Sequence, residues 1–326
     1  AMDADGDFVV AWTSAAQDGS GYGIYARVYD PAGVPKGNEF LVNTYTTNNQ
    51  INPGVAMDAD GDFVVTWQSY GQDGSGFGVY ARRYNAAGVP QAAEFRANSF
   101  TSGWQHRPSV AMRDDGAFVL AWMSYNQSGQ EEDIYIRGYN ASGAPVAAEA
   151  RVNTQTLGNQ TNYNRSIAMN ADGDFVVVWE SLGPTAATQG IFGQRFNADG
   201  QRLGGEFRAN TFSTLRVDPS NVTLGQVNPT VAIDADGDFV VGWISSQQDG
   251  STWGTYAQRF NSFGLPQGAE FRVNAFTTGP QLAHTIAMNA EGDFLVGWHG
   301  QGESGVYPTV YLQKFGVAGV KVTPMS

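Results

Sequence analysis

The sequence has no cysteine, only three lysines (Lys36, Lys314 and Lys321) and only three histidines. Without cysteine it can build neither a disulfide framework nor a thiolate metal site, which excludes the small stapled secreted module. Basic residues are scarce: 18 Lys and Arg stand against 31 Asp and Glu, a net charge of -13. Nucleic acid and anionic membrane surfaces both demand clustered positive charge, so neither is an expected partner. No apolar run reaches the about 18 residues that a spanning helix needs, so no membrane insertion is expected. The 3.6-residue apolar period of helices is missing as well, which leaves strands as the building material.

What the chain does have is one phrase, repeated. Ala1-Met2-Asp3-Ala4-Asp5-Gly6-Asp7-Phe8-Val9-Val10-Ala11-Trp12 returns with its Met or Ile at Met57, Met112, Met169, Ile233 and Met288. A period of about 55 residues with strand-like content marks a repeat protein. In the second unit, Gly54 to Met57 and Asp62 to Trp67 flank an Asp-Gly turn and read as a hairpin. Val79 to Tyr84 and Glu94 to Asn98 complete an antiparallel four-stranded meander. Six such units predict an all-β, six-bladed β-propeller forming one domain over 1–326, with units starting near 1, 53, 108, 165, 229 and 284. The first unit lacks most of its first strand, and Val320 to Thr323 either completes the sixth sheet or pairs with the first. The chain is expected to be a piece of a longer protein.

Repetition constrains function, because chemistry done once must come from a residue that breaks the repeat. The aromatic stripe Trp12, Trp67, Trp122, Trp179, Trp243 and Trp298 is therefore read as core between sheets. Glu39, Glu94, Glu149, Glu206 and Glu270 are read as structural, pairing across strands or bonding a neighbouring turn. Turns around Asp3, Asp5, Asp7, Asp58, Asp60, Asp62, Asp234, Asp236 and Asp238 and their three degenerate copies hold nearly half of all the acids. Alternating carboxylates suit either a hairpin in which Asp caps backbone amides or the front half of a calcium loop.

These Asp-x-Asp-Gly-Asp stretches resemble the calcium loops of FG-GAP and VCBS-type propeller repeats. The further acid that closes coordination in those loops is replaced by Ala11, Thr66, Ala121, Val178, Gly242 and Gly297. No cofactor is required on this reading, and calcium is the ion to test. The wider unit is similar to tandem repeats of very large secreted or surface-attached bacterial proteins, which implies an extracellular setting and adhesion.

In a meander the remaining loops share the opposite rim, and there the units differ. Loops of this kind on a rigid scaffold are where specificity resides. Tyr22, Phe77, Trp104, His106 and Trp253 are the candidate ligand contacts, with carbohydrate or a surface protein as partner. Glu131, Glu132, Asp133 and Glu303 are the unrepeated acids. No nucleophile motif, phosphate loop or metal-ligand spacing is present. The expectation is therefore a non-enzymatic binding or adhesion module making multivalent contacts. The alternatives are a structural spacer that self-associates through its terminal strands, and a glycan-active hydrolase or lyase using unrepeated acids.

Overall fold

The computed structural model describes residues 1–129, 131–162, 165–183, 185, 189–212, 225–300 and 309–322. These residues form six antiparallel sheets and no helix. They fall into two compact units, Ala1–Val152 and Asn153–Ser326, each with three sheets.

The second sheet shows how the sequence is used. Its strands are Gln50–Met57, Phe63–Tyr70, Phe77–Tyr84 and Phe95–Arg96, paired in chain order. The hairpin turn closes with the Asp58 amide donating to the Asp62 carbonyl at 2.9 Å, and Gly61 takes φ +86°, a region that glycine enters without penalty. The fourth strand is shorter than the predicted Glu94 to Asn98. Asn98 leaves the ladder because its Oδ1 accepts the Val79 amide at 2.8 Å, and Glu94 is turned toward a loop.

Two sheets depart from this plan, and the sixth keeps it with a strand near the end of the described residues. In the first, the missing strand is represented by a single bridge, Met2 to Phe8. In the fourth, the first strand is split into Gln160–Thr161 and Ile167–Met169. In the sixth, Lys321–Val322 pairs with Thr309–Phe315 and supplies the fourth strand.

Cores lie between consecutive sheets. In the first unit Ile24, Ala26 and Val42 of one sheet pack on Phe63, Val65 and Trp67 of the next, and Val79 and Ala81 repeat the arrangement on Phe118 and Trp122. The second unit does the same around Trp243 and around Trp298. Trp67, Trp122, Trp179 and Trp243 are fully buried and Trp298 is buried, so these five are core, as their repetition implied, while Trp12 is half-buried.

The repeated polar residues clamp one sheet to the next. Glu94 Oε1 accepts from Gln72 Nε2 at 2.7 Å, and its Oε2 accepts the Thr44 amide from the preceding sheet's exit at 2.6 Å. Glu149 and Glu270 take the Ser99 and Thr211 amides in the same way at 2.7 and 2.5 Å. Arg82 Nη1 and the Tyr84 hydroxyl both donate to the Val42 carbonyl, at 3.0 and 3.1 Å. Burial pushes the Tyr84 hydroxyl up to about 12, which keeps it a donor.

Candidate functional site

At one rim the acidic turns are occupied with themselves. Asp58 Oδ1 accepts the Asp60 and Asp62 amides at 3.1 and 2.9 Å, and Asp3 Oδ1 accepts those of Asp5 and Asp7 at 3.0 and 2.9 Å. The third acid ties the hairpin to the other turn on the same rim. Asp62 accepts from the Ala86 amide and Gln91 Nε2, Asp238 from the Ser262 amide, and Asp7 pairs with Lys36. Asp234 Oδ1 caps the Asp238 amide at 2.9 Å, while Asp5, Asp60 and Asp236 stay exposed. Burial raises the Asp58 and Asp234 carboxyls above the usual range. Among the described residues no three carboxylate or imidazole groups converge as a ligand set. A calcium ion needs six to eight oxygens, and the first and third carboxylates here are committed to backbone and neighbouring side chains.

The opposite rim of the first unit gathers three of the predicted contacts. Trp104 precedes the first strand of the third sheet, Gln105–Met112, and lies against Gly76: a Cβ at that glycine would sit 2.1 Å from the Trp104 ring. The indole meets Phe77 edge-on at 5.9 Å and His106 at 6.0 Å. His106 Nε2 is 3.0 Å from Glu132 Oε1. Glu132 begins the third sheet's third strand, Glu132–Tyr139, where the first two sheets carry Tyr22 and Phe77. The structure thus sets a carboxylate in an aromatic position and faces it with an imidazole.

A bulge aims this strand. Its pairing shifts register between His106 and Ser109, and Arg107 takes φ +51°. Gln68 of the second sheet accepts the Arg107 amide at 2.8 Å and Asn52 Nδ2 at 3.1 Å through one oxygen, which locks two neighbouring bulges together. The same register shift recurs in the second, fifth and sixth sheets, so the bulge belongs to the scaffold that positions His106.

Other candidates fall elsewhere. Tyr22 sits on the first sheet, bridged to Asn49, and Trp253 is half-buried in the second unit, opposite Ser246. Asp133 is explained by compensation. The loops of the first, second and fifth sheets carry an aspartate packed on a glycine, Asp73 on Gly78 for example, whereas here Ser128 replaces the aspartate, Asp133 replaces the glycine, and the two hydrogen-bond. Glu131 is exposed. Glu303, the loop after Asn162 and most of the insertion from Leu215 to Gly225 lie outside the described residues.

Sequence reasoning missed two kinds of residue. Tyr70 and Tyr125 end the second strands of their sheets half-exposed on this rim. Glu180 is a buried carboxylate whose Oε2 accepts from Thr161 Oγ1 at 3.4 Å. It was legible as the one acid directly after a repeated tryptophan.

No protein-family model matches the chain, and no curated protein matches it in sequence. Solved structures do resemble it. An α-L-arabinofuranosidase of Fusarium graminearum in complex with an iminosugar inhibitor superposes with a TM-score of 0.57 at 12% identity, covering 98% of this chain and 92% of its own. An ulvan lyase from a new polysaccharide lyase family gives 0.54 at 10% identity, covering 98% and 80%. A protein of unknown function from Dyadobacter fermentans DSM 18053 gives 0.55 at 11%, covering 96% and 92%.

The fold is a β-propeller of six blades. This likeness corrects the expectation of a non-enzymatic adhesion or spacer module, since the scaffold is one on which solved structures carry glycan-cleaving enzymes. A repeat pattern specifies the scaffold and leaves any chemistry to side chains that only the folded register brings together. His106 and Glu132 are 26 positions apart in the sequence, and only the strand register makes them a couple.

Proposed function

We propose that the protein is a carbohydrate-cleaving enzyme whose active site is the rim between the second and third blades. The observation that carries this reading is the His106–Glu132 pair beside the half-exposed face of Trp104. Both positions vary from blade to blade, and the combination of imidazole and carboxylate occurs in one blade, which suits chemistry performed once. An aromatic face holds a sugar ring, and an imidazole held by a carboxylate moves protons.

Hydrolysis suits the site better than elimination. In hydrolysis water adds across the glycosidic C–O bond: a base takes the water proton, the hydroxyl joins the anomeric carbon, and the departing oxygen receives a proton. Glu132 with His106 supplies one proton-transfer group, and Glu131, next in the chain and exposed, offers a second carboxyl. Elimination would need an acidic sugar, which a chain of net charge -13 repels. The fold's likeness to glycan-active enzymes supports a carbohydrate substrate, and the repeat's resemblance to secreted bacterial proteins supports an extracellular setting.

The test is a screen of polysaccharides and aryl glycosides with the purified chain, His106→Ala and Glu132→Gln, each in calcium and in chelator. Cleavage by the parent with a loss of about a hundredfold or more in either variant is expected. Undiminished cleavage by both variants would sink the assignment. An ultraviolet-absorbing unsaturated uronate among the products would move it to elimination, and dependence on calcium would give the acidic turns an ion.

A further inference from the structure

The aromatic side chains at this rim do not stop at the His106–Glu132 pair. Tyr70 and Phe77 meet edge-on at 5.1 Å, Phe77 and Trp104 at 5.9 Å, and Trp104 and His106 at 6.0 Å. On the third blade, the Tyr125 amide donates to the Trp104 carbonyl at 2.9 Å, and a Cβ on Gly103 would lie 3.6 Å from the Tyr125 ring. On the first blade, Tyr22 bridges to Asn49, whose carbonyl accepts the Tyr70 amide at 2.9 Å. Tyr22, Tyr70, Trp104 and Tyr125 are 45%, 43%, 51% and 44% exposed. Ring contacts thus join Tyr70, Phe77, Trp104 and His106 in a row, backbone contacts set Tyr22 and Tyr125 at either side of them, and the half-exposed rings stay open to solvent although water-exposed aromatic surface is costly.

The row is specific to the first unit. Tyr70 and Tyr125 correspond to Leu182 and Ser246 in the second unit, and Trp104 corresponds to Asn159, Gly225 and Pro280. Repeat architecture does not demand these rings, since the other blades do without them. Edge-to-face contacts hold Tyr70, Phe77 and Trp104 against one another, while Tyr70 and Trp104 stay half-exposed.

We infer that this row is an extended binding track for an uncharged polysaccharide chain, feeding the His106–Glu132 pair, so that the preferred substrate is a polymer rather than a single terminal sugar. The inference rests on the reading of that pair as the active site. A track of uncharged rings takes an uncharged glycan, and its continuity with the pair fixes where the chain is presented.

Affinity electrophoresis in gels containing soluble arabinan, galactan, xylan or mixed-linkage β-glucan tests it. The purified chain is expected to be retarded by at least one of them. Tyr22→Ala and Tyr125→Ala should each weaken that retardation about threefold to tenfold, the worth of one stacked ring, with unchanged melting temperature. His106→Ala should stop cleavage and keep the retardation. Retardation by none of the four, or tyrosine variants that migrate like the parent, would overturn the track. Retardation without cleavage would instead sink the catalytic reading alone, and cleavage of short fragments without retardation would sink the track alone.

Discussion

At one end of each blade the acidic hairpin repeats with small changes, and its carboxylates turn inward to cap Asp60, Asp62 or their counterparts and to tie on the neighbouring turn. At the other end, the loops of blades two and three diverge, and there an imidazole, a carboxylate and a row of half-exposed rings meet. The difference teaches how to divide a repeat protein: what recurs holds the scaffold, and what varies from blade to blade is free to carry a site. The acid-rich motif is ambiguous in the sequence because alternating aspartates serve a tight turn and a metal loop equally well.

Mutations can break or sharpen this division. The largest effect is expected at Trp67→Ala, which empties a fully buried site between the first two blades and should cost about 3–5 kcal/mol by chemical denaturation. Next comes His284, buried against Gly242 in the sixth blade. Burial lowers its imidazole from 6.5 to about 4, so the native state stays neutral while the unfolded chain takes up a proton. Stability should be level above pH 6.5 and fall by about 3 kcal/mol as pH drops through that window to 4, and His284→Leu should flatten the fall. A melting curve whose acid slope is the same with and without His284 would refute this.

On the repeated rim, Gly61→Ala places a Cβ at φ +86° and 2.9 Å from Asp3 Oδ2, for a loss of about 2 kcal/mol in stability. Because this turn is scaffold, cleavage measured well below the melting point should not change. The smallest effect belongs to the variable rim: Asp133→Gly alone should cost about 1 kcal/mol, and adding Ser128→Asp should restore it by rebuilding the arrangement of Asp73 and Gly78. If the double variant stays destabilised, the compensation account fails.

Much of the scaffold could be read from the chain, since Asp-Gly turns, alternating β-branched residues and the spacing of Met57, Met112 and Met169 fix strands, hairpins and units. The broken first strand of blade four was less legible, because the two additional residues before Met169 could equally have lengthened a loop. The site was legible only as separate residues. Trp104 and His106 stood out as departures, and the bulge at Arg107, before Pro108, recurs before Pro53 and Pro229, but that Glu132 would face His106 across 26 positions depended on strand register. Tyr70 and Tyr125 passed as ordinary strand ends because half-exposure is a property of the assembled rim.

The glutamate clamps carry a consequence for how such a chain changes length. Each is borne by one blade and grasps a main-chain amide at the exit of the blade before it, Thr44 on Glu94, Ser99 on Glu149, Thr211 on Glu270. An amide is the same in every copy, so the latch recognises position and not identity. Whole units can be copied, deleted or exchanged in the gene without inventing a new joint, and the variable rim is left to diverge one unit at a time.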